Sequence, residues 1–401
     1  MQPTSRMFIL LVLALGLAVP VLVGVLWWRR GGASRRRRAA VAGGLAAAVV
    51  LSQALAVVGV AAVLNRQLGF YPTWAALSGA LTDQDPLAGM AGPVGQQEVL
   101  SNGELSTIAT RGWGDHRVQP AAGNGSYRDY LVTGIKARTT QKVVVWMPPG
   151  YEKAADAKGL PVLLVLGGAY VTTDFAANGL RFGDVAGPMV RSGQLKPFVA
   201  LLPEVNIKMP HDTECVDFPG GPQAYSWLAS DVPSWAVSTL HVDHARDSWA
   251  VMGWSLGGYC AAKLTVGSPQ LFRAGAAIQG FYVPWPDGTT GALSVDLAHS
   301  EELRHQSDVA WMVRNRPVQD LRLLVMSSPT DPQSWPATEA FLKATQGVPG
   351  ITPLVVPDQG HTLNAWRATL PTVLPFLLQG QGAAAPSAGG GPDAGGSTVR
   401  P

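Results

Sequence analysis

A serine between two glycines, in the stretch VMGWSLGGYC at residues 251–260, constrains the fold of this chain more than any other feature. An apolar run leads into Gly253-Trp254-Ser255-Leu256-Gly257, and a run typical of a helix follows it. The pattern G-x-S-x-G at a strand-to-helix turn lifts a serine hydroxyl above the edge of a parallel sheet. Because the chain contains 46 glycines, the pattern needs support from the residues around it.

Apolar runs and helical patterns alternate on both sides of this stretch. Residues 127–135 and 141–148 resemble an antiparallel opening pair, and residues 160–168 a buried strand that ends in glycines. Further strand patterns cover residues 197–205, 247–255, 272–280, 320–328 and 351–357, and helical patterns cover residues 73–84, 224–240, 256–269 and 362–379. This alternation predicts an α/β fold with a mostly parallel sheet, covered on both faces, and active residues beyond the carboxyl ends of its strands.

Two later residues supply what a serine nucleophile at Ser255 needs. His361 follows the last strand pattern, and the glycine before it allows a tight loop. Asp331 follows the preceding strand pattern on its carboxyl side, so the order is serine, acid, histidine. Asp320 precedes that strand and lies at the wrong end of the sheet, whereas Asp358, three residues before His361, is a rival acid that we rank below Asp331. The other six histidines lie in loops, polar stretches or the N-terminal linker: His116, His211, His241, His244, His299 and His305.

Two backbone amides are candidates for an oxyanion hole. The N–H of Leu256 lies at the start of the helix after the serine, where backbone donors face outward. The second donor is expected in the loop after the first parallel strand, where Gly167 and Gly168 allow close approach. We choose the N–H of Ala169, although the sequence alone does not separate it from Tyr170.

The N-terminal part of the chain is strongly apolar. Residues 7–28 and 39–64 carry no charge and are long enough to span a bilayer, and residues 29–38 between them contain six arginines. Because short arginine-rich loops stay in the cytoplasm, residues 1–66 are predicted to be a membrane anchor with both ends outside. The alternative, a cleaved signal peptide at residues 1–28, has the reverse charge order. A transporter is disfavoured because the spans contain no charge.

The charge of the rest of the chain limits the kinds of partner that it can bind. Residues 1–66 contain eight arginines and no acid, which leaves 22 basic and 27 acidic residues, a net charge of −5, for the rest. Nucleic-acid binding, which needs a basic surface, is therefore not expected. Residues 67–126 are predicted to be a linker and N-terminal extension, residues 127–379 a folded domain, and the Gly/Ala/Pro-rich residues 380–401 a disordered tail.

The two cysteines, Cys215 and Cys260, leave two alternatives open. In an exported chain they can form one disulfide, or they can be two separate buried thiols, and we slightly favour the disulfide. Cys215 lies in the polar stretch 211–221, whose spacing matches no metal-site pattern, so no metal is predicted.

About residues 127–379 resemble the Putative esterase family of α/β-hydrolases, which includes esterase D-like enzymes and mycobacterial mycolyltransferases. The resemblance rests on VVVWMPPGYE, LPVLLVLGGAYVTTDF, QAYSWLASDVPSWAVSTLHV, GWSLGGYCAAKLTVGSPQLFRAGAAIQG and GHTLNAW. It implies the α/β-hydrolase fold, with Ser255 as nucleophile, Asp331 as acid, His361 as base, and the amides of Leu256 and Ala169 as oxyanion donors. The Gly-Gly after the oxyanion strand departs from the family's common His-Gly or Asp-Gly.

The sequence therefore predicts a membrane-anchored, extracytoplasmic serine esterase that acts through an acyl-enzyme and needs no cofactor. The expected substrate is a small-molecule or lipid ester, and residues 282–319 are expected to cover the active site. Two alternatives stay open: an acyltransferase of the mycolyltransferase kind that uses an alcohol acceptor, and a non-catalytic surface-binding protein on a hydrolase scaffold.

Overall fold

A computed structural model describes residues 1–29, 35–82, 119–151, 159–169, 171–209, 211–286, 288, 290–291 and 293–379. The predicted tail, residues 380–401, and residues 83–118 of the predicted linker lie outside the described residues.

Eight strands form one sheet, and helices connect most of them. The strands are β1 (Ser126–Gly134), β2 (Thr139–Met147), β3 (Val162–Leu166), β4 (Val199–Pro203), β5 (Trp249–Trp254), β6 (Ala274–Ile278), β7 (Leu323–Ser327) and β8 (Ile351–Val355). Three helices precede β1: α1 (Arg6–Arg29), α2 (Arg35–Leu68) and α3 (Trp74–Thr82). Two lie between β3 and β4: α4 (Thr173–Leu180) and α5 (Phe182–Arg191). Between β4 and β5, a π-helical segment, Trp227–Asp231, joins α6 (Ala224–Ser226) to α7 (Val232–Thr239). The remaining helices are α8 (Leu256–Gly267), α9 (Leu293–His299), α10 (Glu301–His305), α11 (Val309–Asn315), α12 (Trp335–Ala344) and α13 (Leu363–Leu378).

The strand order is β1-β2-β4-β3-β5-β6-β7-β8. β1 pairs antiparallel with β2, and β2 antiparallel with β4, while all later pairs are parallel. The predicted α/β architecture with its antiparallel opening pair is confirmed. Parallel pairing places the carboxyl ends of β3, β5, β6, β7 and β8 along one edge of the sheet, which is the edge where ligands bind in such folds.

The central strands are buried on both faces because helices cover each side of the sheet. Along β3, Leu163 and Val165 pack into one hydrophobic core, while Val162 and Leu164 pack into the other. A strand buried on both sides needs a continuous apolar sequence, which explains runs such as VLLVL and AGAAI. The last strand, β8, is a half-exposed edge and therefore tolerates Pro353.

Several short helices were not predicted from the sequence. α4 and α5 follow one another with Arg181 at φ 48° between them, so no single long periodic stretch marks them. α9, α10 and α11 have five to seven residues each, too few for a clear amphipathic repeat. The N-cap side chains of Ser300 and Asp308 mark the starts of α10 and α11.

α1 and α2 form an antiparallel hairpin. The Ser52 hydroxyl donates to the carbonyl of Gly16 at 2.6 Å, and a Cβ added at Gly59 would lie 2.7 Å from a methyl carbon of Leu13. Small residues at the interface allow this close approach. Two stretches, Arg6–Val25 and Ala42–Leu68, are long and apolar enough to cross a membrane, and a signal sequence near the N-terminus would have the same length and composition.

Candidate active site

Ser255 lies in the turn between β5 and α8. Its backbone angles are φ 55° and ψ −123°, a region that is unfavourable for a residue with a side chain. Its N–H donates to the carbonyl of Ile278 on β6 at 3.0 Å, and its carbonyl accepts the N–H of Gly258 at 2.9 Å. The surrounding sheet and helix therefore hold the serine in a strained turn at the carboxyl edge of the sheet.

The glycines on either side of the serine leave room that a side chain would fill. A Cβ added at Gly253 would lie 2.2 Å from the carbonyl oxygen of Gly257. A Cβ added at Gly257 would lie 2.2 Å from the carbonyl oxygen of Leu166 at the end of β3. Both distances are far below van der Waals contact, so the strand-to-helix turn depends on glycine at both positions.

Asp331 and His361 form a buried pair at the same edge. His361 Nδ1 lies 2.9 Å from Asp331 Oδ2, and Asp331 is completely buried. The Ser334 hydroxyl donates to the same oxygen, and the Gln333 N–H donates to Oδ1 at 3.0 Å. With Nδ1 donating to the carboxylate, the imidazole presents Nε2 as the atom that can accept a proton.

Trp366 connects the histidine to the serine turn. The His361 and Trp366 rings meet edge to face at a centroid distance of 5.1 Å, and Trp366 stacks on Trp254, the residue before Ser255, at 5.6 Å. The Trp366 indole N–H also donates to the Gln279 side chain, just after β6. These contacts lock the loop that carries His361 against the strand that carries Ser255.

The two candidate oxyanion donors lie beside the serine. Leu256 is the first residue of α8, and N–H groups of a first helical turn have no partner within the helix. Ala169 lies in the turn after β3, next to Gly168, where an added Cβ would be 3.4 Å from the Ser255 Cβ. The alternative donor, Tyr170, lies outside the described residues. The donor roles of Leu256 and Ala169 stay predictions.

A family model described as Putative esterase matches residues 137–377, which is more than half of the chain. The chain belongs to this family. It is therefore an esterase, that is, a carboxylic ester hydrolase, as the resemblance of the sequence implied. A comparison with curated protein sequences finds no match.

Solved structures of esterases share the fold of this family member. A ferulic acid esterase matches with a TM-score of 0.55 and 19% identity over 65% of this chain and 99% of its own. An S-formylglutathione hydrolase from Agrobacterium tumefaciens matches with a TM-score of 0.55 and 16% identity, covering 65% and 98%. The fluorophosphonate-binding serine hydrolase FphF from Staphylococcus aureus has a TM-score of 0.53 and 15% identity, covering 64% and 99%.

A disulfide braces the helix that follows the serine turn. It joins Cys215 to Cys260 on α8, with a Cα–Cα distance of 5.8 Å, within the usual range for disulfides. Beside it, the buried Lys263 donates to the carbonyl of Cys215 at 2.8 Å and to the Ser307 hydroxyl at 3.1 Å. Burial lowers the pKa of Lys263 to about 7, against the opposing influence of nearby carboxylates. In the described part of the chain, no group of three or more His, Cys, Asp or Glu side chains is arranged to hold a metal.

Glu204 supports the loop that contains Ala169. Its carboxylate follows β4 and accepts the N–H of Thr173, the first residue of α4, at 2.9 Å. Burial raises the pKa of Glu204 to about 7, and the nearby Asp174 acts in the same direction. Glu204, Gln333 and Ser334 were not predicted as site residues, because none of them belongs to a recognisable motif.

Part of the segment 282–319, around Ser307 and α11, packs on α8 near the disulfide. The Tyr259 hydroxyl donates to the carbonyl of Ser307 at 2.9 Å, and Val309 and Met312 join the same core as Tyr259. The idea that this segment covers the active site stays a prediction.

Proposed function

We propose that this chain is a membrane-anchored esterase whose catalytic site faces the extracytoplasmic side, and that Ser255 forms an acyl-enzyme. The observation that carries the proposal is the buried Asp331–His361 pair, with 2.9 Å between Oδ2 and Nδ1, at the sheet edge where the strained Ser255 lies. A neutral imidazole fixed by a carboxylate is the general base that a serine hydroxyl requires.

The proposed reaction proceeds in two steps. The Ser255 oxygen bonds to the ester carbonyl carbon while His361 Nε2 takes the hydroxyl proton, and the N–H groups of Leu256 and Ala169 stabilise the oxyanion. The carbonyl–alkoxide bond then breaks, and His361 returns the proton to the leaving alcohol. Water attacks the acyl-enzyme by the same route, which releases the carboxylic acid and restores Ser255. No step needs a cofactor.

The proposed location rests on the two N-terminal helices and on charge. The arginine cluster of residues 29–38 lies between the two apolar stretches, and a short arginine-rich loop stays on the cytoplasmic side. Both ends of the hairpin, and the enzyme that follows α2, are then outside. An antibody against a C-terminal tag should bind intact cells. Binding that appears only after the membrane is permeabilised would contradict this orientation.

Ester hydrolysis by the full-length protein in detergent micelles tests the proposed chemistry. We expect hydrolysis of p-nitrophenyl esters to disappear in Ser255→Ala while the unfolding temperature stays the same. A panel of acyl chain lengths, with and without an added alcohol, then separates hydrolysis from acyl transfer. Equal activity of Ser255→Ala and the wild type would sink the proposal, and a folded but inactive wild type would favour a surface-binding role.

A further inference from the structure

The turn that follows α2 contacts the loops of both the acid and the histidine. The carbonyl of Gly69, the first residue after α2, accepts the backbone N–H of His361 at 2.9 Å. The side-chain amide of Gln333 donates to the carbonyl of Leu68. Gln333 also gives its backbone N–H to Asp331, so the same residue touches the acid and the end of the hairpin. We call Leu68–Tyr71 the juxtamembrane turn.

The contact leaves no space for even one additional methyl group. Gly69 is buried and has φ +67°, and a Cβ added there would lie 2.3 Å from Pro332 Cδ and 3.4 Å from Asp331 Oδ1. On the opposite side, a Cβ added at Gly360 would lie 1.8 Å from the carbonyl oxygen of Phe70. Two glycines from distant parts of the chain thus allow the backbones to touch.

The juxtamembrane turn is itself fixed to α2. The Asn65 side chain accepts the N–H of Tyr71 at 2.7 Å and donates to the carbonyl of the same residue at 2.8 Å. The Gly69 N–H donates to the carbonyl of Asn65 at 2.8 Å, which closes the helix end. The direction of the Gly69 carbonyl, and with it the bond to His361, is therefore set by the hairpin.

The residues at the start of α1 also contact the residues that follow the juxtamembrane turn. The Trp74 indole N–H donates to the carbonyl of Met1 at 2.6 Å, and the Phe8 and Trp74 rings meet edge to face at 5.2 Å. The Thr4 hydroxyl donates to the carbonyl of Pro72 at 3.3 Å. The residues at the starts of α1 and α3 therefore contact each other and Pro72, the residue that follows the juxtamembrane turn.

We propose that the juxtamembrane turn is a positioning element of the active site, through which the α1–α2 hairpin sets the catalytic rate. This inference rests on the proposed function. The N–H of His361 precedes α13 and needs an acceptor, which the Gly69 carbonyl provides. A hairpin that is displaced from this contact frees the histidine loop on one side. Catalysis is sensitive to such shifts, since a misplacement of about 1 Å can cost about 100-fold in rate.

Substitutions in the full-length protein, held in detergent micelles, test the inference. We expect Gly69→Ala to lower kcat for a soluble p-nitrophenyl ester about 100-fold, with KM little changed. Gln333→Ala removes one hydrogen bond at the periphery and should lower kcat about 2- to 10-fold without lowering the unfolding temperature. The matched control is Gly347→Ala, because Gly347 also has a positive φ, +85°, but an added Cβ meets nothing within 4 Å.

Fluorophosphonate labelling separates positioning from a loss of folded protein. In Gly69→Ala and Gln333→Ala the labelling rate should fall while the final stoichiometry stays that of the wild type, whereas a purely structural defect lowers the stoichiometry. Wild-type kcat and labelling rates in both variants would overturn the inference, and if Gly69→Ala does not fold, Gln333→Ala decides. A wild-type protein that neither labels nor hydrolyses esters would instead refute the proposed function.

Discussion

The serine side and the acid–histidine side of the candidate site are built in different ways. Ser255 is held by the backbone of three adjacent strands and of α8, through glycines that admit no side chain. Asp331 and His361 lie on loops after β7 and β8, and a few individual hydrogen bonds hold them. One of these bonds comes from Gly69, almost three hundred residues earlier in the chain.

Because the two sides are held in different ways, we expect substitutions on the serine side to affect mainly folding, and substitutions on the acid–histidine side to affect mainly catalysis. A change in the packed serine turn distorts the central sheet, so it should reduce stability before it reduces the rate of a folded molecule. A change on the acid–histidine side removes one hydrogen bond in the loops beyond the sheet, so the protein should still fold but hydrolyse esters slowly. The following substitutions test that division.

The largest effect is expected for Asp331→Asn. The amide cannot stabilise a protonated imidazole and favours the wrong tautomer, so kcat should fall about 10³- to 10⁴-fold in a protein that still folds. Ester hydrolysis together with the unfolding temperature measures both parts of the prediction. The control is Asp358→Asn, because Asp358 is exposed and lies three residues before His361. A large loss of activity in the control alone would reassign the acid.

Gly257→Ala should lower the stability of the protein by disturbing the serine side of the site. The new Cβ would lie 2.2 Å from the Leu166 carbonyl oxygen, and the sheet has to move to accept it. We expect a loss of about 3 kcal/mol or more in the free energy of unfolding, measured by denaturant titration. Gly288→Ala, where an added Cβ meets open space, should have little effect. Equal stabilities of the two variants would show that the serine turn is more adaptable than its packing implies.

Removal of the disulfide should affect stability without affecting chemistry. The double variant Cys215→Ala/Cys260→Ala frees the loop from α8, across a sequence separation of 45 residues. The free energy of unfolding should fall by about 2–4 kcal/mol, while kcat at 25 °C stays near the wild-type value. Thermal unfolding and ester hydrolysis of the same sample provide the comparison. A large loss of kcat in the folded variant would mean that the disulfide also positions Ser255.

The smallest effect concerns Glu204 and depends on pH. Its pKa is raised from the ordinary 4.5 to about 7 in the folded state, so the stability that it contributes is complete below about pH 4.5. That contribution is lost as the pH rises towards 7, because the unfolded chain ionises first. Glu204→Gln cannot ionise, so its free energy of unfolding should exceed that of the wild type at pH 8 and lie closer to the wild-type value at pH 5. Unfolding temperatures at both pH values, with the exposed Glu339→Gln as control, test this.

The parts of the fold that depend on short stretches of sequence could be predicted. The strand, serine turn and helix around Ser255 follow from glycine spacing and an apolar run, and the alternation of patterns predicts the sheet. Chain order indicated Asp331 and His361, which the structure places 2.9 Å apart. The support given by Ser334 and Gly69 was not predictable, because a hydroxyl three residues after the acid and a glycine after a membrane-type helix carry no pattern of their own.

The proposed chemistry requires that Ser255 is a nucleophile activated by the Asp331–His361 pair. The most direct measurement is to treat the full-length protein with a fluorophosphonate and to locate the adduct by peptide mass spectrometry, in the wild type, Ser255→Ala and His361→Ala. We expect an adduct on Ser255 in the wild type, none in Ser255→Ala, and labelling of His361→Ala slowed by several orders of magnitude. A folded wild-type protein with no adduct, or with the adduct on another serine, would contradict it.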